Sequence, residues 1–132
     1  MKHSIFRTAT KGKTELLDIT SQVKGIVRKS GIGDGMCTVF IPHTTCGVTL
    51  NENADPSVRS DIRMELDKIV PLQDGYAHME GNSAAHIKAS LMGSSVSIPL
   101  QNGDLMLGTW QGIYLCEFDG PRTRSVVVTL GE

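Results

Sequence analysis

The chain has little of what would announce a partner by bulk charge or bulk hydrophobicity. Thirteen Lys and Arg nearly cancel fourteen Asp and Glu, leaving a formal net charge of -1 over 132 residues. No global field therefore gathers nucleic acid or anionic lipid, although a local basic patch stays open. No stretch approaches the roughly 18 apolar residues of a membrane span, and the start Met1-Lys2-His3-Ser4-Ile5-Phe6-Arg7 has no apolar signal core. The expectation is a cytoplasmic protein with no membrane and no nucleic-acid partner. Cysteine is scarce too: Cys37, Cys46 and Cys116 are odd in number, widely spaced and in strand-like contexts. That pattern fits three reduced, buried thiols better than a disulfide framework. Internal repeats and low-complexity linkers are absent, and the length favours one domain spanning residues 1–132.

What the chain does have is polar chemistry in dense clusters. His43-Thr44-Thr45-Cys46 is followed by His78-Met79-Glu80-Gly81-Asn82-Ser83-Ala84-Ala85-His86, with Glu52 and Asp55 between them. Each such group must be solvated or paired once the chain compacts, so three imidazoles beside carboxylates and an amide point to a site. His3 has no such company and reads as a solvated strand residue.

The periodicity predicts strands at both ends and helices between. Ile5 to Ala9, a Lys11-Gly12-Lys13 turn and Thr14 to Leu17 suggest an opening hairpin. Thr20 starts a helix with Val23, Ile26 and Val27 on one face, stopped by Gly31-Ile32-Gly33-Asp34-Gly35. That glycine run follows a helix instead of linking a strand to one, so it reads as a C-cap and turn and not as a phosphate cradle. Met36 to Ile41 and Cys46 to Asn51 are β-branched strands whose connecting loop carries His43. Asp55-Pro56 begins a second helix with Val58, Ile62, Leu66 and Ile69 facing the core; Arg59 and Glu65 fall on a solvated face. Asn82 caps a third, running through Ala84, Ile87 and Leu91 to Gly93, which puts His86 near the positive end of its dipole. Ser95 to Leu100, Asp104 to Leu107, Ile113 to Phe118 and Ser125 to Leu130 are strands, divided by Asn102-Gly103, Gly108 and Gly120-Pro121.

Short motifs do not decide the chemistry. His78-Met79-Glu80 matches half of a zinc-deaminase signature, but the P-C-x-x-C half is missing. His78 and His86 stand eight residues apart, not at the one-turn spacing of a helical zinc site. A metal held by His43, His78 and His86 must therefore be assembled by tertiary folding. Glu117 falls between apolar neighbours on a strand and needs a partner; Arg122, after the Gly120-Pro121 turn, is one candidate, structurally or around a phosphate.

Longer runs are more specific. His43 to Pro56, His78 to His86, Ser95 to Gly103 and Gly108-Thr109-Trp110-Gln111-Gly112-Ile113 resemble the YjbQ family, also called UPF0047, over nearly the whole chain. The resemblance implies an α+β fold, a jelly-roll-like β-sandwich flanked by about three helices, assembled as a homotrimer. It also implies a secondary thiamine-phosphate synthase activity, joining hydroxymethylpyrimidine diphosphate to thiazole phosphate with release of diphosphate. Carried onto this sequence, the motif residues are His43, Asn51, Glu52, Asp61, His78, Glu80, Asn82, His86, Gln111, Glu117 and Arg122.

That reaction develops negative charge on the leaving diphosphate and positive charge on the pyrimidine. The corresponding roles are catalytic for Glu52, Asp61, Glu80, His86, Glu117 and Arg122, and substrate-binding for Asn51, Asn82, Gln111 and Arg122. His43, His78 and His86 are the candidate ligands of a divalent Zn²⁺ or Mg²⁺ ion. The chain is too short for the (β/α)₈ barrel of the dedicated synthase, which needs roughly 200 residues, so a shared activity is convergent or incidental. The competing expectation is a trimeric metal- or metabolite-binding protein without dedicated catalysis.

Overall fold

The computed structural model describes all 132 residues. Its elements run β1 (Lys2–Ala9), β2 (Glu15–Asp18), α1 (Thr20–Ser30), β3 (Gly35–Phe40), β4 (Cys46–Glu52), α2 (Pro56–Ile69), α3 (Ser83–Met92), β5 (Ser95–Gln101), β6 (Asp104–Leu105), β7 (Gln111–Glu117) and β8 (Thr123–Gly131). The strands form two antiparallel sheets, ordered β1-β8-β3-β5-β6 and β2-β7-β4. With the three helices this is the expected α+β sandwich. No helix is long and apolar enough to cross a membrane.

Alternation builds the core. Along β8 the buried positions are Arg124, Val126, Val128 and Leu130, each two residues apart and on one face. They meet Cys37 and Val39 of β3, Ile98 and Leu100 of β5, Val48 of β4, and Ile113 and Leu115 of β7, while Val23 and Val27 of α1 close the end. β7 is different: it is buried on both faces from Gly112 to Glu117. One face meets this core, and Tyr114 and Cys116 on the other meet a second cluster with Leu16, Ala85, Ala89 and Phe118 beneath α2 and α3. A strand covered on both sides reads as a continuous apolar run, which is why Glu117 stands out there. All three cysteines are free and buried. Asn102 and Gly103 take positive φ values of 52° and 79° in the two-residue turn joining β5 to β6, the geometry an Asn-Gly turn favours. Gly31 caps α1 at φ 73°, as the glycine run after the helix suggests.

Four local expectations change. The opening strands are not a hairpin: β1 pairs with β8 from Lys2↔Leu130 to Ala9↔Thr123, whereas β2 pairs with β7. The chain changes sheet after Thr10, whose N–H donates to the Arg122 carbonyl at 2.8 Å and whose hydroxyl donates to Glu117 at 2.7 Å. α2 buries no residue fully; Ile62 and Leu66 pack against the second cluster, but Ile69 is 60% exposed. Arg59 of α2 is half-buried instead of solvated, its guanidinium 5.5 Å from the Tyr114 ring centroid. α3 is rotated from its expected face: Ala84, Ala85, Lys88 and Ala89 are buried, while Ile87 and Leu91 are exposed. Small residues allow that close approach. A Cβ on Gly47 of β4 would lie 2.7 Å from the Gly93 carbonyl and 3.1 Å from Met92, so the glycine lets the end of α3 rest on the strand.

Candidate functional site

The register of β4 with β7 fixes two ends. Cys46 pairs with Glu117 at one end and Glu52 with Gln111 at the other. At about 3.3 Å per residue those ends lie roughly 20 Å apart.

The first end is built on a buried ion pair. Glu117 is fully buried and Arg124 4% exposed, and the guanidinium grips the carboxylate through Nε at 2.8 Å and through Nη2. Thr10 donates its hydroxyl and Asp119 its backbone N–H to the same carboxylate, while Arg124 also reaches Thr45 Oγ1 at 2.8 Å. Burial works to raise the Glu117 pKa, yet these donors and the adjacent charge together hold it below the usual carboxylate value. The pair is thus ionised and satisfied, the condition for keeping charge inside. The expected partner of Glu117 is therefore corrected: Arg122 is exposed, and its Nε and Nη2 bond the Asp119 carbonyl and carboxylate at 2.9 and 3.1 Å. Arg124 carried a readable signal, since it shares the inward face with Val126, Val128 and Leu130, where an arginine needs an internal carboxylate.

Over this pair lies a cavity of about 460 Å³ whose wall includes His43, His78, Glu80, Asn82, His86, Arg122 and Arg124. Folding thus brings the three histidines, spread over 43 positions of sequence, to one wall. The His78 and His86 rings meet edge to face with centroids 5.5 Å apart, and His78 Nε2 lies 3.9 Å from Glu80 Oε1. His43 and His86 also border a neighbouring cavity that includes Cys46. Burial pushes the Cys46 thiol up to about 12, so it offers no thiolate at neutral pH.

His43 is held in one protonation state. Its pKa is lowered, first by burial and then by the charge of Arg124. Its Nε2 accepts the backbone N–H of Ser125 at 2.9 Å. An accepting Nε2 on a neutral ring leaves the proton on Nδ1, so His43 is a neutral hydrogen-bond donor. To bind a metal through Nδ1 while Nε2 accepts, it would have to lose a second proton. No group of three or more His, Cys, Asp or Glu side chains is gathered to hold a metal. As arranged here, His43, His78 and His86 do not form a three-ligand centre.

Asn82 departs from its expected role as a cap. Its side chain makes no capping bond to α3; Nδ2 donates to Asp119 at 2.9 Å, and the buried Oδ1 has no partner. The N–H groups of Ser83 and Ala84 are consequently left for other acceptors, while those of Ala85 and His86 donate to the Asn82 carbonyl at 3.1 and 3.3 Å.

The remaining residues implied by the resemblance sit elsewhere. Asn51 Oδ1 accepts the Glu52 N–H at 2.7 Å, Gln111 Oε1 accepts the Gly108 N–H at 2.8 Å, and the Glu52 carbonyl accepts from the Tyr114 hydroxyl at 3.0 Å. These are local ties of backbone to side chain at the second end. Asp61 is exposed on α2. Within one chain, Asn51, Glu52 and Gln111 are not brought to the histidine cavity.

Comparison with known proteins gives one consistent answer. The family model described as "UPF0047 protein YjbQ-like" matches residues 4–132. UPF0047 protein YugU of Bacillus subtilis is 47% identical over 122 residues, 92% of each chain. A UPF0047 protein of Archaeoglobus fulgidus is 44% identical over 121 residues, 90% of this chain and 93% of that one. Among solved structures, a conserved protein of Clostridium acetobutylicum superposes with TM-score 0.95 at 55% identity, covering 97% of this chain and 99% of that one. A YbjQ-like protein of unknown function from Sulfolobus solfataricus superposes with TM-score 0.94 at 36% identity, covering 99% and 97%.

Proposed function

Because the chain belongs to the YjbQ-like UPF0047 family, we propose that it is a small-molecule transferase of the secondary thiamine-phosphate synthase type, acting at the histidine cavity. The observation that carries this reading is the meeting of His43, His78, Glu80, His86 and Arg122 on one wall above the Glu117–Arg124 pair. In the proposed step the thiazole nitrogen gives its lone pair to the methylene carbon of the pyrimidine. The carbon–oxygen bond to diphosphate breaks, and diphosphate leaves with the electron pair. The new carbon–nitrogen bond leaves a thiazolium cation, and no proton need move.

Each side chain has a part in that charge separation. Arg122 suits the diphosphate, His43 offers its Nδ1–H as a neutral donor, and the Glu80 carboxylate suits the cationic ring. Since the three imidazoles do not form a ligand set, no step is routed through a metal they hold. Binding of Zn²⁺ or Mg²⁺ is tested by titration. One Zn²⁺ per chain, lost in His78→Ala, would favour the binding-protein reading, for which the clustering of the imidazoles is the support.

Assembly as a homotrimer belongs to the same proposal. The outward face of the larger sheet carries Ile5, Met36 and Phe40, 66%, 45% and 42% exposed. Val127 pairs with both Ile5 and Phe40, so an apolar row crosses three strands, a surface suited to another copy. Light scattering at micromolar concentration should give three times the chain mass of 14.3 kDa; a monomer would remove this part. For the chemistry, purified protein is given both phosphorylated halves with Mg²⁺, and product and diphosphate are followed together. Turnover no greater than in a preparation lacking the protein would hand the site to the binding reading.

A further inference from the structure

A second cavity, about 510 Å³, lies between α2, α3 and the turn before β2. Its wall carries three cations, Lys13, Arg63 and Lys88, and one carboxylate, Asp67; Lys13 Nζ also donates to Asp119 Oδ1 at 3.0 Å. Lys88 is the unusual member. It is 6% exposed, and only Asp67 Oδ1 accepts from its ammonium, at 2.5 Å. Asp67 is 58% exposed on its side chain, so solvent weakens that compensation. A buried ammonium with two unused donors beside a half-solvated partner leaves room for another anion. Arg63 enters none of the five ion pairs of the chain. Ala84 and Ala85 of the uncapped first turn of α3 line the same space.

The rest of the wall mixes polar Thr14 and Asn82 with apolar Leu72, Ala84, Ala85 and Phe118. Phe118 lies under the Lys88 ammonium, 5.9 Å from Nζ to ring centroid, and Leu72 borders the opening. Phe118 is 2% exposed and shares its place with the Lys88 ammonium, so charge and apolar surface meet within one cavity and suit a ligand that is anionic at one end and apolar at the other. We propose that this cavity binds a phosphate monoester of a ring-bearing metabolite, with the phosphate at Lys13, Arg63 and Lys88 and the ring against Phe118 and Leu72. Asn82 lines both this cavity and the histidine cavity, so two ligands would lie side by side with one residue between them. The inference stands on this cavity's own lining. Taken with the proposed reaction, it also says where the phosphorylated ring that supplies the nucleophile would wait.

The test uses phenyl phosphate and inorganic phosphate as probes, titrated into the isotope-labelled full-length protein and followed by amide NMR. Expected are saturable shifts at Ala84, Ala85 and Lys88, with phenyl phosphate tighter than inorganic phosphate because only it meets Phe118. Arg63→Gln and Lys13→Gln, both at exposed positions that leave the fold intact, should each weaken binding by about tenfold, as loss of a charge-assisted bond does. His78→Asn, in the other cavity, should leave it unchanged. The proposal is overturned by absence of saturable shifts, by wild-type affinity in the Lys13→Gln, Arg63→Gln double variant, or by shifts centred on His78 and His86 that His78→Asn removes. Saturable binding here in a protein without turnover would sink the proposed reaction and leave the cavity assignment standing.

Discussion

The two ends of the β4–β7 pair are made by the same strands and behave in opposite ways. At the Cys46↔Glu117 end, charge is buried, every oxygen of Glu117 is bonded, and a cavity opens above it. At the Glu52↔Gln111 end, polar side chains close on neighbouring backbone groups, and Asn51 and Gln111 are exposed. The difference teaches that polar density in sequence does not by itself bring groups to one cavity of a chain. A site needs polar groups held by something other than their own neighbours, with the low dielectric that makes them act on a ligand.

The sharpest way to break this comparison is to remove the buried cation. Arg124→Ala leaves Glu117 charged and unpartnered inside, so urea unfolding should show a loss of roughly 3 to 5 kcal/mol. A loss below about 1 kcal/mol would mean the pair is not the frame of this end. Next come the catalytic contrasts. Glu80→Gln and Arg122→Ala should each lower kcat/KM on the order of 10²-fold, with the assembly intact by light scattering. Glu52→Gln, some 20 Å away along the strand, should change it far less. Equal losses at both ends would show that assembly of several chains joins them.

Packing gives a smaller effect. Gly47→Ala drives a methyl against the Gly93 carbonyl at 2.7 Å, where backbone must yield, and should cost about 1 to 3 kcal/mol by thermal or urea unfolding. At the other end, Gly112→Ala would set a methyl 2.9 Å from both Cβ and Nδ2 of Asn53; the Cβ moves only with its backbone, so this change should also cost about 1 to 3 kcal/mol. A clearly cheaper change at either position would mean that the backbone there yields more readily than at the other.

The smallest effect is one of pH. His43 has a folded pKa below its unfolded value, so the unfolded chain takes the proton first as pH falls. His43 contributes to stability above its unfolded value near 6.5, and that contribution is lost as pH falls through the lower folded value. The ring proton signals of His43 should titrate below the ordinary histidine range. Arg124→Met, which removes the nearby charge, should move the midpoint up, and an unmoved midpoint would assign the whole shift to burial.

The strands were legible because alternation and β-branched runs report burial directly, and the helices because caps and periodicity do. Their faces were less so. α3 turned Ile87 and Leu91 outward because alanines and Gly47 allow closer packing than larger side chains, a choice made by the surface beneath the helix. The His43, His78 and His86 cluster was visible as density, and its convergence was a tertiary fact. Arg124 shows the limit most clearly: the expected strand began at Ser125 and left it out, and only the crossing of β8 with the end of β7 decided that its carboxylate is Glu117.

By itself the sequence determined the family, the α+β class, the order of eight strands and three helices and the free, buried state of its cysteines, since these follow from local period, turn chemistry and long shared motifs. The tertiary structure alone decided which sheet takes β1 and which takes β2, which arginine is internal, and that the polar motifs divide between two ends of one strand pair. Strand pairing and burial are long-range choices, made by competition among all faces at once, and no local stretch of residues contains them.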